Sequence, residues 1–364
     1  MTLQVQEFSK SDFLNRMYRK SESIRTKNVA KTALKMFELF CKNEGLTETQ
    51  IITMYQAFVK EGDIRSVCIS LDRFIQFLNQ DRDEIILNAE LIPQTFKKKS
   101  PNTIKTYFGF VKSYLRLCHA IRISNEDVKD YVQFPKQIKE PRRAISLETL
   151  KLILNHASPL RRALYSVLIS SGMRLGETLA LEVRDIHFNE NPVRITIRAE
   201  TTKTKEGRET YISSEAVDKL KPLIEGKKDN EKIFTTNDIN SAVVLEDQIF
   251  NDLRIKLNLL ERYPNSCRYV VNIHCFRAYF HTKASQKHGS DYANALDGHG
   301  AYLKQYYREP LEDRAKEYEE LEPSLLIESV KLETEKTKDK IITSLQEDIK
   351  KLQDKMIRIE LLNK

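Results

Sequence analysis

Six residues, Val193-Arg194-Ile195-Thr196-Ile197-Arg198, constrain the fold of this chain more than any other stretch, because apolar and polar side chains alternate strictly along them. A period of two fits a strand with one buried face and fits no helix. A turn at Lys205-Glu206-Gly207 leads to a second run, Glu209-Thr210-Tyr211-Ile212, which supplies an antiparallel partner. The flanking segments carry helical signals instead. Ser146 stands as the N-cap of one helix, a second is expected over about 160–171, and Gly172 stops it. Helices packed on a small antiparallel sheet make an α+β unit.

The chain has 364 residues, too many for one compact core. Residues 1–25 are polar and weakly patterned and are expected to form a flexible arm. From Thr26, apolar residues recur at helical spacing (Val29, Ala33, Met36, Phe37, Phe40), and further helices are expected around 47–60, 62–79 and 101–121, the last opened by Ser100-Pro101. The segment 26–123 therefore reads as a small all-α domain. Residues 124–143 are polar, carry Pro135 and Pro141, and read as a linker; 144–310 form the α+β domain. Beyond it, 311–364 reads as a helical tail. There Ile342, Leu345, Ile349, Leu352, Met356 and Ile359 step by 3, 4, 3, 4, 3, a short heptad seam. That seam suits either one amphipathic helix packed on its own domain or self-association through a coiled coil.

Composition narrows the function. No apolar run approaches the length that spans a bilayer, and the N-terminus lacks the pattern of a secretory signal, so a cytoplasmic place is expected, with no membrane partner. The five cysteines show no CxxC pair and no clustering with histidine at metal spacing, so neither a disulfide framework nor a metal or other cofactor is expected. The net charge of +8 points to a polyanionic partner. Lys97, Lys98 and Lys99 form one basic run, and Lys136, Lys139, Arg142 and Arg143 another; both suit a passing line of phosphates.

Chemistry is concentrated in four places: Arg174 within Gly172-Met173-Arg174-Leu175-Gly176-Glu177, the tetrapeptide His274-Cys275-Phe276-Arg277, His299 after Gly298, and Tyr307. His274 and Arg277 share one helix face at i, i+3. An arginine offers a planar fork of donors that fits two phosphate oxygens, and a histidine moves protons near neutral pH. A tyrosine downstream of two arginines and two histidines is the inventory for breaking and rejoining a DNA backbone. Glu177 reads as support for Arg174.

Taken jointly, these motifs resemble the tyrosine recombinase (phage integrase) family, most closely its archaeal members and Xer-like recombinases. Residues 171–186 are similar to that family's first arginine motif, His274-Cys275-Phe276-Arg277 to its HxxR box, and Gly298-His299 to its GH pair. Asp297 departs from the apolar residue usual before that pair, and the interval from His299 to Tyr307 is one shorter than the commonest bacterial spacing. The resemblance is strong over 145–310 and extends to 26–123 as an architecture, a helical core-binding domain ahead of a catalytic domain. It implies a nucleophile at Tyr307, with Tyr306 the alternative and Tyr302 a packing residue, and a catalytic lysine on the hairpin, at Lys205 or else Lys203. It implies a site-specific recombinase acting through a 3′-phosphotyrosyl link without metal or ATP, partnered by double-stranded attachment sites and by copies of itself, as a tetramer on DNA. A type IB topoisomerase and a non-catalytic DNA-binding regulator stay open as alternatives.

Overall fold

The computed structural model describes residues 8–87, 90–138, 140–264, 266, 268–299 and 310–328, with the backbone alone over 83–94. The chain divides into two compact units, Met1–Glu140 and Pro141–Lys364.

The first unit contains α1 (Lys10–Ser21), α2 (Ile24–Asn43), α3 (Glu48–Lys60), α4 (Ile64–Leu78), α5 (Pro101–His119) and α6 (Asn125–Tyr131). Their starts follow capping chemistry. Ser9, Thr47, Asp63, Ser100 and Ser124 each accept a first-turn N–H that the helix leaves unpaired. Phenylalanines fill the core: Phe74 meets Phe37 and Phe40 at ring-centroid distances of 5.5 Å each, and Phe77 meets Phe96 at 5.0 Å.

Three local features differ from the sequence expectation. Residues 10–21 are a helix rather than a flexible arm, because Phe13 is wholly buried against Tyr114 and Lys10 pairs with Glu48 at 2.7 Å. The expected linker begins inside the first unit: Ser124 and Asp127 cap each other around α6, Val132 is buried, and Phe134 stacks edge-on against Phe108 at 5.1 Å. An antiparallel hairpin, β1 (Arg82–Leu87) with β2 (Glu90–Phe96), accompanies the helices. Its sequence hid it. Ile85, Ile86 and Leu87 run consecutively rather than alternating, and Pro93 lies within the second strand, where it removes a ladder donor.

The second unit contains α7 (Leu147–His156), α8 (Pro159–Ser171), α9 (Leu175–Leu179), β3 (Ile186–His187), β4 (Val193–Ile197), β5 (Arg208–Ile212), α10 (Ser214–Ile224), α11 (Ile239–Lys256), α12 (His274–His288), α13 (Ser290–Asp297) and α14 (Leu311–Leu321). The sheet runs β3-β4-β5, antiparallel throughout. Its register pairs Val193 with Ile212, Ile195 with Thr210 and Ile197 with Arg208 on one face, as the alternation requires. On the other face Arg194 holds Glu190 and Glu209 at 2.6 and 2.9 Å.

Phe276 anchors α12 by packing with Tyr165 and Phe250, at 5.2 and 5.7 Å. α8 ends in Gly172, whose φ of +66° and close approach to Phe280 leave no room for a Cβ. The carbonyls at that end, which helix geometry leaves unpaired, are taken by distant side chains. Tyr318 donates to Ser170 at 2.7 Å, Thr210 to Ser171 at 2.9 Å and Arg277 to Gly172 at 2.5 Å. The expected tail begins with α14, whose Tyr318 and Leu321 are buried; its heptad seam lies outside the described residues.

Because Phe74 touches two other rings in a filled core, Phe74→Ala is expected to destabilise the protein by about 3–5 kcal/mol in denaturant titration. Ile69→Ala on the exposed side of the same helix should change stability by no more than about 0.5 kcal/mol.

Candidate active site

The end of α8 and the start of α9 place Arg174 as the residue before the first turn. Glu177, three residues on, accepts the Arg174 backbone N–H at 3.0 Å and its guanidinium at 2.8 Å. Glu177 also binds Arg208 from β5, at 2.6 and 3.2 Å. Arg208 in turn donates to the Leu296 carbonyl at 2.8 Å, and Arg174 to the Gly298 carbonyl at 3.2 Å. Gly298 caps α13 with φ +78°, and an added Cβ there would stand 3.0 Å from the Arg208 guanidinium carbon. One carboxylate thus spaces two arginines, and the end of α13 receives both.

A second buried carboxylate organises the other half. Asp297, wholly buried, lies 3.5 Å from Arg277 Nη2 and accepts the His299 backbone N–H at 2.9 Å. Its Oδ2 stands 2.8 Å from Nδ1 of both His299 and His281. Arg277 Nη2 lies 3.2 Å from the His299 ring. Arg277 itself is 2% exposed, and among the described residues its Nε has no hydrogen-bond partner. Three guanidinium groups therefore share two carboxylates, which leaves one positive charge unbalanced. A buried cation in that condition is costly unless an anion joins it.

The ionisation states follow. Burial would raise the Glu177 carboxyl, but hydrogen bonds and charge from Arg208 and Arg174 outweigh it and hold the group below the usual carboxylate range. Burial pushes Arg277 down to about 10, still charged at neutral pH. His274 is held below the ordinary histidine value, first by loss of water and then by the charges of Arg277, Arg142, His299 and Arg174. It stays neutral at pH 7 and can accept a proton.

His281, Asp297 and His299 offer ligand atoms within 4.8 Å of one another, the spacing of a metal site. Those atoms already hydrogen-bond to each other, and the Arg277 guanidinium stands beside the carboxylate, so the set is built as a hydrogen-bonded hub.

Of the residues singled out in the sequence, Arg174, Arg277 and His299 converge, and His274 lies one turn ahead of Arg277. Lys205, with φ +57°, and Lys203 are exposed on the β4–β5 connection. Tyr302, Tyr306 and Tyr307 lie outside the described residues, as does Lys139. Lys97, Lys98, Lys136, Arg142 and Arg143 are exposed and Lys99 is half-buried over the Phe96 ring; Arg143 is paired with Glu261. Arg208 and His281 escaped the sequence reading, and Asp297 was marked there only as a departure before the Gly298-His299 pair. For Arg208 there was a signal as well: it shares the alternating face of Thr210 and Ile212.

Residues 143–294 match the phage integrase family. The chain is 30% identical over 105 residues to the tyrosine recombinase XerC of Chlamydia caviae, covering 27% of this chain and 34% of the relative. It is 23% identical over 205 residues to the tyrosine recombinase XerA of Saccharolobus solfataricus, covering 50% and 66%. The chain spans less than two thirds of the length of either relative. A solved structure of the Tn1549 transposon integrase, in complex with transposon right end DNA, is similar at 14% identity and a TM-score of 0.45, over 68% of this chain and 83% of that one. The site is arginine-rich and is built from helix ends and a strand of the small antiparallel sheet. The segment that matches the phage integrase family holds Arg174, Glu177, Arg208 and Arg277 of this site, and Asp297 and His299 follow just beyond it.

Glu177→Ala would leave two arginines facing each other without their shared partner. It is expected to cost about 3–5 kcal/mol in equilibrium unfolding, as breaking a buried pair does; a loss below about 1 kcal/mol would contradict this account of the site.

Proposed function

We propose that this protein is a site-specific DNA recombinase that cuts and rejoins duplex DNA through a 3′-phosphotyrosyl intermediate. The observation that carries the reading is the convergence of Arg174, Arg277 and His299 around an unbalanced positive charge. A scissile phosphate supplies the missing anion. Arg174 and Arg277 neutralise the charge that builds on the phosphate oxygens as the phosphorus becomes five-coordinate, and His299 hydrogen-bonds one of them. The Tyr307 oxygen attacks phosphorus, and neutral His274 takes the phenolic proton. The bond to the 5′ oxygen breaks, and Lys205 gives that oxygen a proton after the exposed hairpin closes on DNA. A 5′ hydroxyl of another strand then reverses these steps and joins new partners. The exposed basic residues Lys97, Lys98, Lys136, Arg142 and Arg143, together with Lys99, contact phosphates and hold the duplex without reading its sequence. Exchange of strands between two duplexes calls for several copies of the chain, assembled on DNA as a tetramer.

The test uses a nicked duplex, selected from a random library by binding to the full-length protein. A covalent protein–DNA adduct is expected on a denaturing gel, and it should vanish in Tyr307→Phe. An adduct that survives this change and vanishes in Tyr306→Phe moves the nucleophile by one residue. Supercoil relaxation without strand exchange would instead indicate a topoisomerase. Arg277→Ala should slow adduct formation by at least about 10²-fold, the scale of one lost preorganised donor.

Protonated His274 cannot act as base, so cleavage should fall on acidification. With its pKa held down, the fall is expected below the ~6.5 of a free histidine. A rate that already falls above that pH, or that rises in acid, would argue against His274 as the proton acceptor.

A further inference from the structure

Asp297 does more than balance Arg277. An ionised carboxylate only accepts hydrogen bonds. With Oδ2 at 2.8 Å from Nδ1 of both His281 and His299, and Arg277 Nη2 farther off at 3.2 Å from Nδ1 and 3.5 Å from Nε2 of His299, the carboxylate is the nearest partner and favours a hydrogen on each Nδ1. His299 is fastened twice to the same group, through its backbone N–H at 2.9 Å and through its ring. His281 packs edge-on against it, with ring centroids 5.5 Å apart at 86°, and approaches the carboxylate from α12. The one ring nitrogen of His299 left without a hydrogen is Nε2, on a side chain that is 49% exposed. In the neutral ring that atom accepts a proton; in the charged ring it donates to an oxygen.

We propose that Asp297, braced by His281, is a positioning residue that fixes a hydrogen on Nδ1 of His299, so that Nε2 is the nitrogen that faces the scissile phosphate and donates to it once the ring has taken up a second proton. The assignment of phosphate as the group met rests on the recombinase reading; the locked form is a property of the free protein. A metal ion on the same three atoms would require both Nδ1 hydrogens to leave, which a spectrum of the ring nitrogens distinguishes.

The experiment is a long-range nitrogen–proton correlation spectrum of the full-length, nitrogen-15-labelled protein. Its seven histidines permit assignment of His299 by comparison with His299→Gln. The expected result is a protonated Nδ1 and a bare Nε2 in the neutral ring. Asp297→Asn keeps the shape of the side chain but can offer an amide hydrogen to Nδ1. It should therefore turn His299 to the Nε2–H form and, because an amide does not support the second proton on the ring, slow adduct formation by about 10²-fold, the scale of one lost preorganised donor. DNA retention in a native gel should persist. A wild-type His299 in the Nε2–H form, or an unchanged tautomer in Asp297→Asn, overturns the proposal. The wild-type spectrum decides even where the variant fails to fold. A protein with the expected tautomer and no adduct on any selected duplex sinks the recombinase reading and leaves the positioning role standing.

Discussion

Three arginines held by two buried carboxylates are the constraint on which the second unit depends. Arg174, Arg208 and Arg277 come from three separate elements, and Glu177 and Asp297 are the groups that let them approach. Taking a guanidinium out of water is expensive, and here the expense is not fully offset inside the chain. One charge stays unbalanced, and Arg277 keeps a donor without a partner among the described residues. Natural cores shed such groups unless a function retains them. In the proposed reading, a phosphate supplies the anion that balances this charge.

The scaffold achieves this with backbone as much as with side chains. Two helix ends supply fixed acceptors: the close of α8 binds Arg277, and the close of α13 binds Arg208 and Arg174. Carbonyls at helix C-termini carry partial negative charge and cannot reorient. They therefore hold cations without adding a formal charge that would compete with phosphate. Gly172 and Gly298 are needed at these two corners because the backbone turns left-handed and large groups approach closely. Phe276 contributes from below, since its packing with Tyr165 and Phe250 fixes the rotation of α12 and so the face that carries His274 and Arg277.

How much of this was legible in the sequence follows from the range of each interaction. Ser146, Ser100 and the alternation of 193–197 obey rules that act within a few residues, and the elements they announce are present. The hairpin of 82–96 broke those local rules at Pro93 and stayed hidden. α1 is short and is held by two distant contacts, Phe13 with Tyr114 and Lys10 with Glu48, which no window of sequence contains. Arg174, His274, Arg277 and His299 stood out as candidates through the joint order of their motifs rather than singly. Arg208 and Asp297 did not, because a charged residue bound for the interior looks like any surface charge until its partners are known.

The central claim, that Arg174, Arg277 and His299 form a receptor for a tetrahedral oxyanion, is tested most directly by crystallography of the full-length protein soaked with tungstate, using the anomalous signal of the metal to locate the anion. The account predicts one tungstate between the Arg174 and Arg277 guanidinium groups, with His299 in hydrogen-bonding reach. Tungstate bound only on the exposed lysines, with these three side chains empty at saturating anion, would contradict it.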